Sequence, residues 1–312
     1  MTRGQGDLHH SLWFVDDNGP MDTVVAVAAI RELAQLEVHD VRPIQGGWAY
    51  WTFDIDGQWI FRFPRTDEVA LAAESEQRFL PVLAAHVDFE VPIPKWSGVF
   101  NGRSFFGYRK LEGRPLCAAD IDQTPGIAER LAAMLHQIHS FDPETAKSLL
   151  GAEGSVGAWQ RRYQDLRNVA VSRVADLLDP STASLLDRGF SALLDEDFTF
   201  TPTPVHGDLG TEHILVDEYS GRPVGIIDFE DADVGDPAID FVGFWITLGP
   251  ERTQRLLDSY PGQVDAGFLH RIKTYWWIGS LHAVIYGFEQ DDQAIIADGL
   301  TGLRQRLGAL DS

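Results

Sequence analysis

The segment Val205–Phe241 reads VHGDLGTEHILVDEYSGRPVGIIDFEDADVGDPAIDF, and it decides which fold this chain can adopt. It places Asp208 and His213 five residues apart, and Asp228 twenty residues beyond Asp208. The stretch Val216–Pro223 carries turn-forming residues between two apolar runs, which predicts a β-hairpin. Because a hairpin returns the chain to its starting end, the pattern predicts that two carboxylates and an imidazole meet there.

These residue types suit a phosphoryl-transfer site. Asp208 and His213 have the separation of the Asp and Asn of a protein-kinase catalytic loop, and Asp228 has the place of the Asp in D-F-G. A transferred phosphoryl group is highly anionic, and the Mg²⁺ that neutralises it prefers hard oxygen ligands. We therefore expect Asp208 to accept the proton of an attacking hydroxyl, and Asp228 and His213 to hold Mg²⁺.

Taken as a whole, the segment resembles the signature of the aminoglycoside phosphotransferase family, the kinase-like antibiotic phosphotransferases. The resemblance implies that Asp208 is the catalytic base and Asp228 the principal metal ligand. It also implies mainly structural roles for Asp236 and Asp240. His213 stands where the family usually has Asn, which is similar to the 2''-aminoglycoside and macrolide branches. A neutral imidazole is a softer ligand than an amide oxygen.

The remaining elements predict an α+β chain with a bilobal protein-kinase-like fold. A helix over 24–36, a strand meander over 41–63, a helix over 68–85 and a strand over 104–111 form a small β-rich N-terminal lobe. A larger, mainly helical C-terminal lobe follows. We predict an irregular extension at 1–20, a nucleotide-binding lobe at 21–107, a hinge at 108–114 and a catalytic and acceptor-binding lobe at 115–312.

A nucleotide kinase needs a turn over the phosphates and a cation paired with a helix carboxylate. Gly46 and Gly47, between two strands, allow a close backbone approach, although two glycines in a hairpin are often only a turn. Arg62 is the inward candidate on the third strand, where kinases generally use Lys, and Arg can grip phosphate with two hydrogen bonds. Its expected partner is Glu76, with Glu74 as the competitor.

The segment around Tyr108, Arg109 and Leu111 resembles the family's connecting strand, whose main chain binds the purine. Branches with a similar segment use GTP well, so the resemblance implies that GTP is at least as good a phosphoryl donor as ATP. In the helix that ends at His139, His136 and His139 are three residues apart but lack an evident third ligand, which favours a buried structural role.

The acceptor site is the vaguest part of the sequence. We expect it to use carboxylates that follow Asp228 and polar side chains on one face of the last helical region, 271–291. The carboxylate candidates are Glu230, Asp231 and Asp233. The helical candidates are Tyr286 and Glu289, on a face shared with Tyr275 and His282, which could equally belong to the core.

Composition narrows the possible partners. The chain has 25 Lys and Arg against 47 Asp and Glu, a formal net charge of −22, which argues against nucleic acid or anionic membrane partners. An acidic surface attracts a cationic small molecule, although it also simply aids solubility. The single Cys117 suits a reducing cytosol, and no secretory signal or membrane-length apolar run is evident, so we expect a cytoplasmic protein.

Together these features predict a nucleotide-dependent kinase of a small-molecule antibiotic. An aminoglycoside is the first expectation for the acceptor, because aminoglycosides are polycationic. A macrolide or a basic peptide antibiotic, a metabolic small molecule, and a regulatory nucleotide-binding protein without transfer activity are the alternatives.

Overall fold

The computed structural model describes residues 21–44, 49–289 and 291–308. They divide into two compact units: the first lies within the ranges Met1–Ala85 and Glu90–Glu112, and the second within His86–Phe89 and Gly113–Ser312. The division of the main chain lies between Glu112 and Gly113, and the short piece His86–Phe89 belongs to the second unit. No helix among the described residues combines the length and the apolar character that a membrane crossing requires.

The first unit is a five-stranded antiparallel sheet with two helices. Its strand order is β1-β2-β3-β5-β4. The predicted meander and both predicted helices are confirmed within two or three residues at each end. The elements are α1 (Thr23–Ala34), β1 (Val41–Ile44), β2 (Tyr50–Ile55), β3 (Trp59–Pro64), α2 (Asp67–Leu83), β4 (Pro94–Phe100) and β5 (Arg103–Arg109).

Local turn chemistry sets the register of this sheet. Asp56 and Gly57 both have positive φ, 55° and 67°, as the tight turn between β2 and β3 requires. The strand β4 is absent from our sequence-based assignment. Its turn to β5 uses the same device, because Asn101 and Gly102 have φ of 50° and 79°. Against one face of the sheet, α1 buries an aromatic core that contains Phe53, Phe61, Phe63 and Phe105.

The second unit is mainly helical, as predicted. It begins with β6 (Arg114–Pro115) and continues through α3 (Ala118–Gln123), α4 (Ile127–His139), α5 (Pro143–Leu150), α6 (Val156–Arg173) and α7 (Pro180–Leu193). Side chains of Asp142, Ser155 and Asp179 cap the first turns of α5, α6 and α7. A cap satisfies backbone N–H groups that have no partner within the helix, so these residues fix where the helices begin.

Two small sheets then carry the segment with which the sequence analysis began. The pair β7 (Thr203–Val205) and β10 (Asp233–Gly235) is antiparallel, and β8 (Ile214–Val216) and β9 (Pro223–Ile226) form the predicted hairpin beside β6. Four helices complete the unit: α8 (Val242–Leu248), α9 (Pro250–Ser259), α10 (Phe268–Glu289) and α11 (Gln293–Gly308).

Candidate active site

The loop after β7 carries Asp208 and is tied to a buried carboxylate. The backbone N–H groups of His206 and Gly207 each donate to Asp240, at 2.8 Å. Gly207 has φ +88°, and a Cβ there would lie 2.1 Å from the carbonyl oxygen of Asp231. Only glycine fits this combination of left-handed backbone and close approach. The two tethers therefore set the position of Asp208 before any ligand arrives.

Asp240 is itself held by a histidine. His139 Nε2 lies 2.9 Å from its Oδ2, and His139 Nδ1 lies 2.6 Å from the Tyr260 hydroxyl. Burial acts to raise the pKa of Asp240, but the His139 hydrogen bond and the nearby imidazole charges hold that pKa below its usual value. The predicted structural role of His139 is confirmed, because its ring contributes to the support of the loop and not to a metal site.

His213 and Asp228 meet where the hairpin returns. His213 Nε2 is 3.6 Å from Asp228 Oδ2, and the Ile227 N–H donates to the His213 carbonyl at 2.9 Å. His213 Nδ1 lies 2.8 Å from the carbonyl oxygen of Asp208. A carbonyl only accepts, so Nδ1 carries the proton and donates it. Nε2 is therefore the nitrogen that faces Asp228, and it is the nitrogen that a metal ion would use.

Backbone strain marks Asp228. Its φ of +71° lies in the left-handed region, which costs a residue other than glycine about 1–3 kcal/mol and persists only where the surroundings enforce it. Such outliers concentrate at ligand and catalytic sites. In the described part of the chain, no group of three or more His, Cys, Asp or Glu side chains forms a metal cage. Two ligands suit Mg²⁺, which is usually bound by one or two carboxylates with substrate phosphates supplying other oxygens.

Asp208 is open to solvent and yet crowded by protein. Burial raises its pKa, His213 lowers it, and the charge of Asp231 raises it again. His206, two residues before Asp208 in the loop, is completely buried and hydrogen-bonded to the Ile227 carbonyl at 3.0 Å. Asp208 therefore combines an exposed carboxylate with a raised pKa.

In the first unit, the expected cation and helix carboxylate form a buried pair. Arg62 Nη1 is 3.1 Å from Glu76 Oε1, and the two side chains are 6% and 0% exposed. The Arg62 guanidinium also lies 3.8 Å from the ring centroid of Tyr50. The competitor, Glu74, is exposed and instead accepts a hydrogen bond from Ser104 Oγ at 2.6 Å. The choice of Glu76 over Glu74 as the structural partner is confirmed.

The candidates on the connecting strand differ in burial. Tyr108 is buried and paired with Ile60 across β5 and β3, Arg109 is exposed, and Leu111 is partly buried. Gly46 and Gly47 lie outside the described residues.

A family comparison agrees with this geometry. The model of the phosphotransferase enzyme family matches residues 40–271, which is most of the chain and includes the candidate residues just described in both units. The chain belongs to the phosphotransferase enzyme family. The predicted family, kinase-like α+β fold and phosphotransferase activity are thereby confirmed.

Individual phosphotransferases are similar over most of their length. Viomycin phosphotransferase from Streptomyces vinaceus is 27% identical over 253 residues, covering 78% of this chain and 85% of the relative. The GDP and kanamycin complex of APH(2")-IIIa superimposes with a TM-score of 0.83 at 25% identity, covering 92% and 99% of the two chains. Macrolide 2'-phosphotransferase type I shares the fold, with a TM-score of 0.74 at 22% identity over 91% and 98%.

The acceptor candidates of this phosphotransferase are only partly brought together. Asp231 is exposed and lies within electrostatic range of Asp208, and burial raises the pKa of Asp233 at the start of β10. Glu230 is partly buried directly after Phe229. Tyr286 is partly buried on α10, and Glu289 is the last residue of that helix.

One member of the predicted polar face belongs to the core. Tyr275 is 3% exposed, donates to Asp236 Oδ2 at 2.8 Å and accepts from Trp159 Nε1 at 2.9 Å. Asp236 is itself fully buried and paired with Arg271 at 2.6 Å. This network joins α6, α10 and the loop after β10.

One residue near the acceptor candidates escaped our sequence-based choice. Arg162 on α6 lies 3.9 Å from Asp233. His282 on α10, already named with the predicted polar face, is exposed. His282 shared the helical face that the 3.6-residue period singled out. For Arg162, no signal in the sequence points to the site, because its helix begins some fifty residues before Asp208.

Proposed function

We propose that this phosphotransferase uses GTP or ATP with Mg²⁺ to phosphorylate a hydroxyl group of a small cationic antibiotic, and thereby confers resistance. The observation that carries the proposal is the convergence of Asp208, His213 and Asp228 at one end of the β8–β9 hairpin. Few other reactions need an exposed carboxylate beside a second carboxylate and an imidazole that are close enough together to bind one metal ion.

Asp208 is the proposed catalytic base. It is exposed to solvent, on a loop in which two backbone N–H groups donate to Asp240. A carboxylate in such a position orients an incoming hydroxyl for in-line attack and accepts its proton. Neighbouring negative charge and burial make Asp208 more basic than an ordinary aspartate, which favours proton acceptance.

Asp228 and His213 would hold Mg²⁺ together with oxygens of the nucleotide. When bound, the ion neutralises charge on the phosphates. The tautomer of His213, fixed by the carbonyl of Asp208, couples the position of this ligand to the catalytic loop. A shift of the loop therefore moves the base and one metal ligand at the same time.

Arg62 is the proposed phosphate-contacting cation, oriented by Glu76 and by the ring of Tyr50. Arg keeps a permanent charge and offers a planar set of donors that matches phosphate oxygens. Main-chain groups near Arg109 and Leu111 are the proposed purine contacts, and Gly46 and Gly47 the proposed phosphate turn. Structural relatives with bound GDP support a guanine nucleotide as a donor, and ATP is the alternative.

The acceptor is proposed from charge and from likeness. The net charge of −22 favours a cationic acceptor. The likeness to viomycin phosphotransferase and to a kanamycin-bound structure supports aminoglycosides and basic peptide antibiotics as the classes to test. Macrolides are the alternative. Glu230, Asp231, Asp233, Tyr286 and Glu289 are the proposed acceptor-binding residues.

The decisive experiment is a coupled transfer assay with Mg²⁺ and GTP or ATP against a panel of aminoglycoside, peptide and macrolide antibiotics. Asp208→Ala should abolish phosphate transfer and leave nucleotide binding nearly unchanged. The matched control is Asp217→Ala, which removes a partly buried carboxylate from the nearby hairpin turn and should retain transfer. Steady product formation by Asp208→Ala would refute the catalytic assignment, and the absence of transfer to every antibiotic would refute the proposed acceptor class.

A further inference from the structure

Tyr50 is a buried aromatic residue on the face of the sheet that carries Arg62. In the register of β2 and β3, Arg62 lies opposite Thr52, so Tyr50 is its diagonal neighbour two residues along β2. The guanidinium carbon of Arg62 lies over the Tyr50 ring, 3.8 Å from its centroid. A planar cation at this distance from the face of a ring forms a cation–π contact.

Two further neighbours restrict the Arg62 guanidinium. Phe106 is the direct partner of Arg62 on β5, and its ring centroid is 5.8 Å from the guanidinium carbon. Glu76 of α2 accepts from Arg62 Nη1 with both carboxylate oxygens, at 3.1 and 3.3 Å. All four side chains are buried. The carboxylate therefore fixes one end of the guanidinium, and the Tyr50 ring fixes the direction in which its plane faces.

This setting gives a physical reason for arginine at a position where protein kinases use lysine. A guanidinium is flat and weakly hydrated, so it can lie on an aromatic ring and pair with a carboxylate at the same time. An ammonium group is compact and strongly hydrated, so it loses more hydration energy when it is buried beside a ring and a single carboxylate. Because the Tyr50 ring offers a flat contact surface, it favours Arg62 over a lysine.

We propose that Tyr50 is a positioning residue for nucleotide binding, because its ring holds the Arg62 guanidinium in the orientation that contacts the phosphates. Without the ring, the guanidinium can leave this orientation, and the advantage of arginine over lysine is lost. The inference rests on the proposed function, in which Arg62 contacts the nucleotide. It adds that Arg62 and Tyr50 act as one unit.

The test is a double-mutant cycle of Tyr50→Leu and Arg62→Lys, with the affinity for GTP and for ATP measured by calorimetric titration in the presence of Mg²⁺. Each single substitution should weaken nucleotide binding about tenfold, or about 1.4 kcal/mol, which lies within the range of a cation–π contact removed from water. The double substitution should also weaken it about tenfold, because both changes remove the same contact. Tyr50→Phe keeps the face of the ring and should stay within about twofold of the wild type.

Phe53→Leu is the matched control. Phe53 is a buried aromatic residue of the same strand, but it packs into the core with α1, whereas Tyr50 packs with Ala73 of α2. The control should destabilise the protein in urea, as Tyr50→Leu does, and leave nucleotide affinity within about twofold. An equal loss of affinity in Phe53→Leu would overturn the inference, because lost packing would then explain the effect of Tyr50→Leu.

The same proteins separate this inference from the proposed function. A wild-type protein that binds neither GTP nor ATP would overturn both. Nucleotide binding that falls about a hundredfold in the double variant would overturn this inference alone, since the two side chains would then act independently. In urea unfolding without nucleotide, Tyr50→Leu and Arg62→Lys should together destabilise the protein by less than the sum of their separate effects. Additive effects on unfolding would show that the two side chains are not coupled, and the inference would fail.

Discussion

Asp240→Asn tests how the catalytic loop is held. Asp240 Oδ2 accepts from the His206 N–H and faces His139 Nε2, and Oδ1 accepts from the Gly207 N–H. Asparagine has the same shape but only one acceptor oxygen. Whichever way the amide is turned, its NH₂ group faces at least one backbone N–H of the loop.

The magnitude follows from these contacts. A buried donor without an acceptor costs about 1–3 kcal/mol, and the hydrogen bonds that remain lose the strength that a charged acceptor gives them. We expect the free energy of unfolding to fall by about 3 kcal/mol, which a domain with typical stability of about 5–15 kcal/mol survives. A displacement of Asp208 by about 1 Å should lower kcat by on the order of a hundredfold.

Two measurements check this expectation: urea unfolding followed by circular dichroism, and kcat with saturating nucleotide and acceptor. Asp217→Asn is the control, because it makes the same chemical change in an exposed turn and should cost less than about 1 kcal/mol. The reasoning fails if Asp240→Asn unfolds at the wild-type urea concentration and retains wild-type kcat. It also fails if stability falls while kcat is unchanged, since the loop would then not depend on the tether.

Three further outcomes are expected. Glu76→Gln removes the carboxylate that the buried guanidinium of β3 faces, so it should cost about 3 kcal/mol in urea unfolding and raise KM for the nucleotide, whereas Glu74→Gln on the exposed face of the same helix should do neither. Two arginines of α9 hold the pKa of Asp122 at about 2, below its value in the unfolded chain. The contribution of Asp122 to the free energy of unfolding is therefore present above pH 4 and is lost as the pH falls toward 2. Asp122→Asn should flatten the curve of stability against pH in that window. Gly189→Ala places a Cβ within 1.4 Å of the buried Trp277 ring and should lower the melting temperature by several degrees; an unchanged melting temperature would contradict the packing.

Much of the fold could be predicted from the sequence because the patterns that determine it involve residues that are neighbours along the chain. Alternating apolar residues and the Asp56–Gly57 turn predicted β2 and β3, since strand pairing across a tight turn depends only on neighbours in sequence. The strand β4 was missed although Asn101 and Gly102 carry the same hairpin signal. Its half-exposed residues alternate in burial without the apolar run that marks the other strands.

The residues of the candidate site were likewise predictable from the sequence only where they lie close together along the chain. The single segment that contains Asp208, His213 and Asp228 determined the reaction chemistry, because a short hairpin is enough to bring these side chains together. The choice between Glu76 and Glu74 depends on which of them faces the sheet. In the structure Glu76 is buried and Glu74 is exposed.

Only the tertiary structure decided which residues lie beside the acceptor candidates. Arg162 lies far from Asp233 in sequence, and it comes within 3.9 Å of that carboxylate because Trp159 packs against Gly235 of β10. The same packing assigned Tyr275 to the core. The sequence by itself therefore determined that this protein transfers phosphate, since that chemistry resides in one local segment. The charge and shape of the acceptor site arise from long-range helix packing, which no local pattern records.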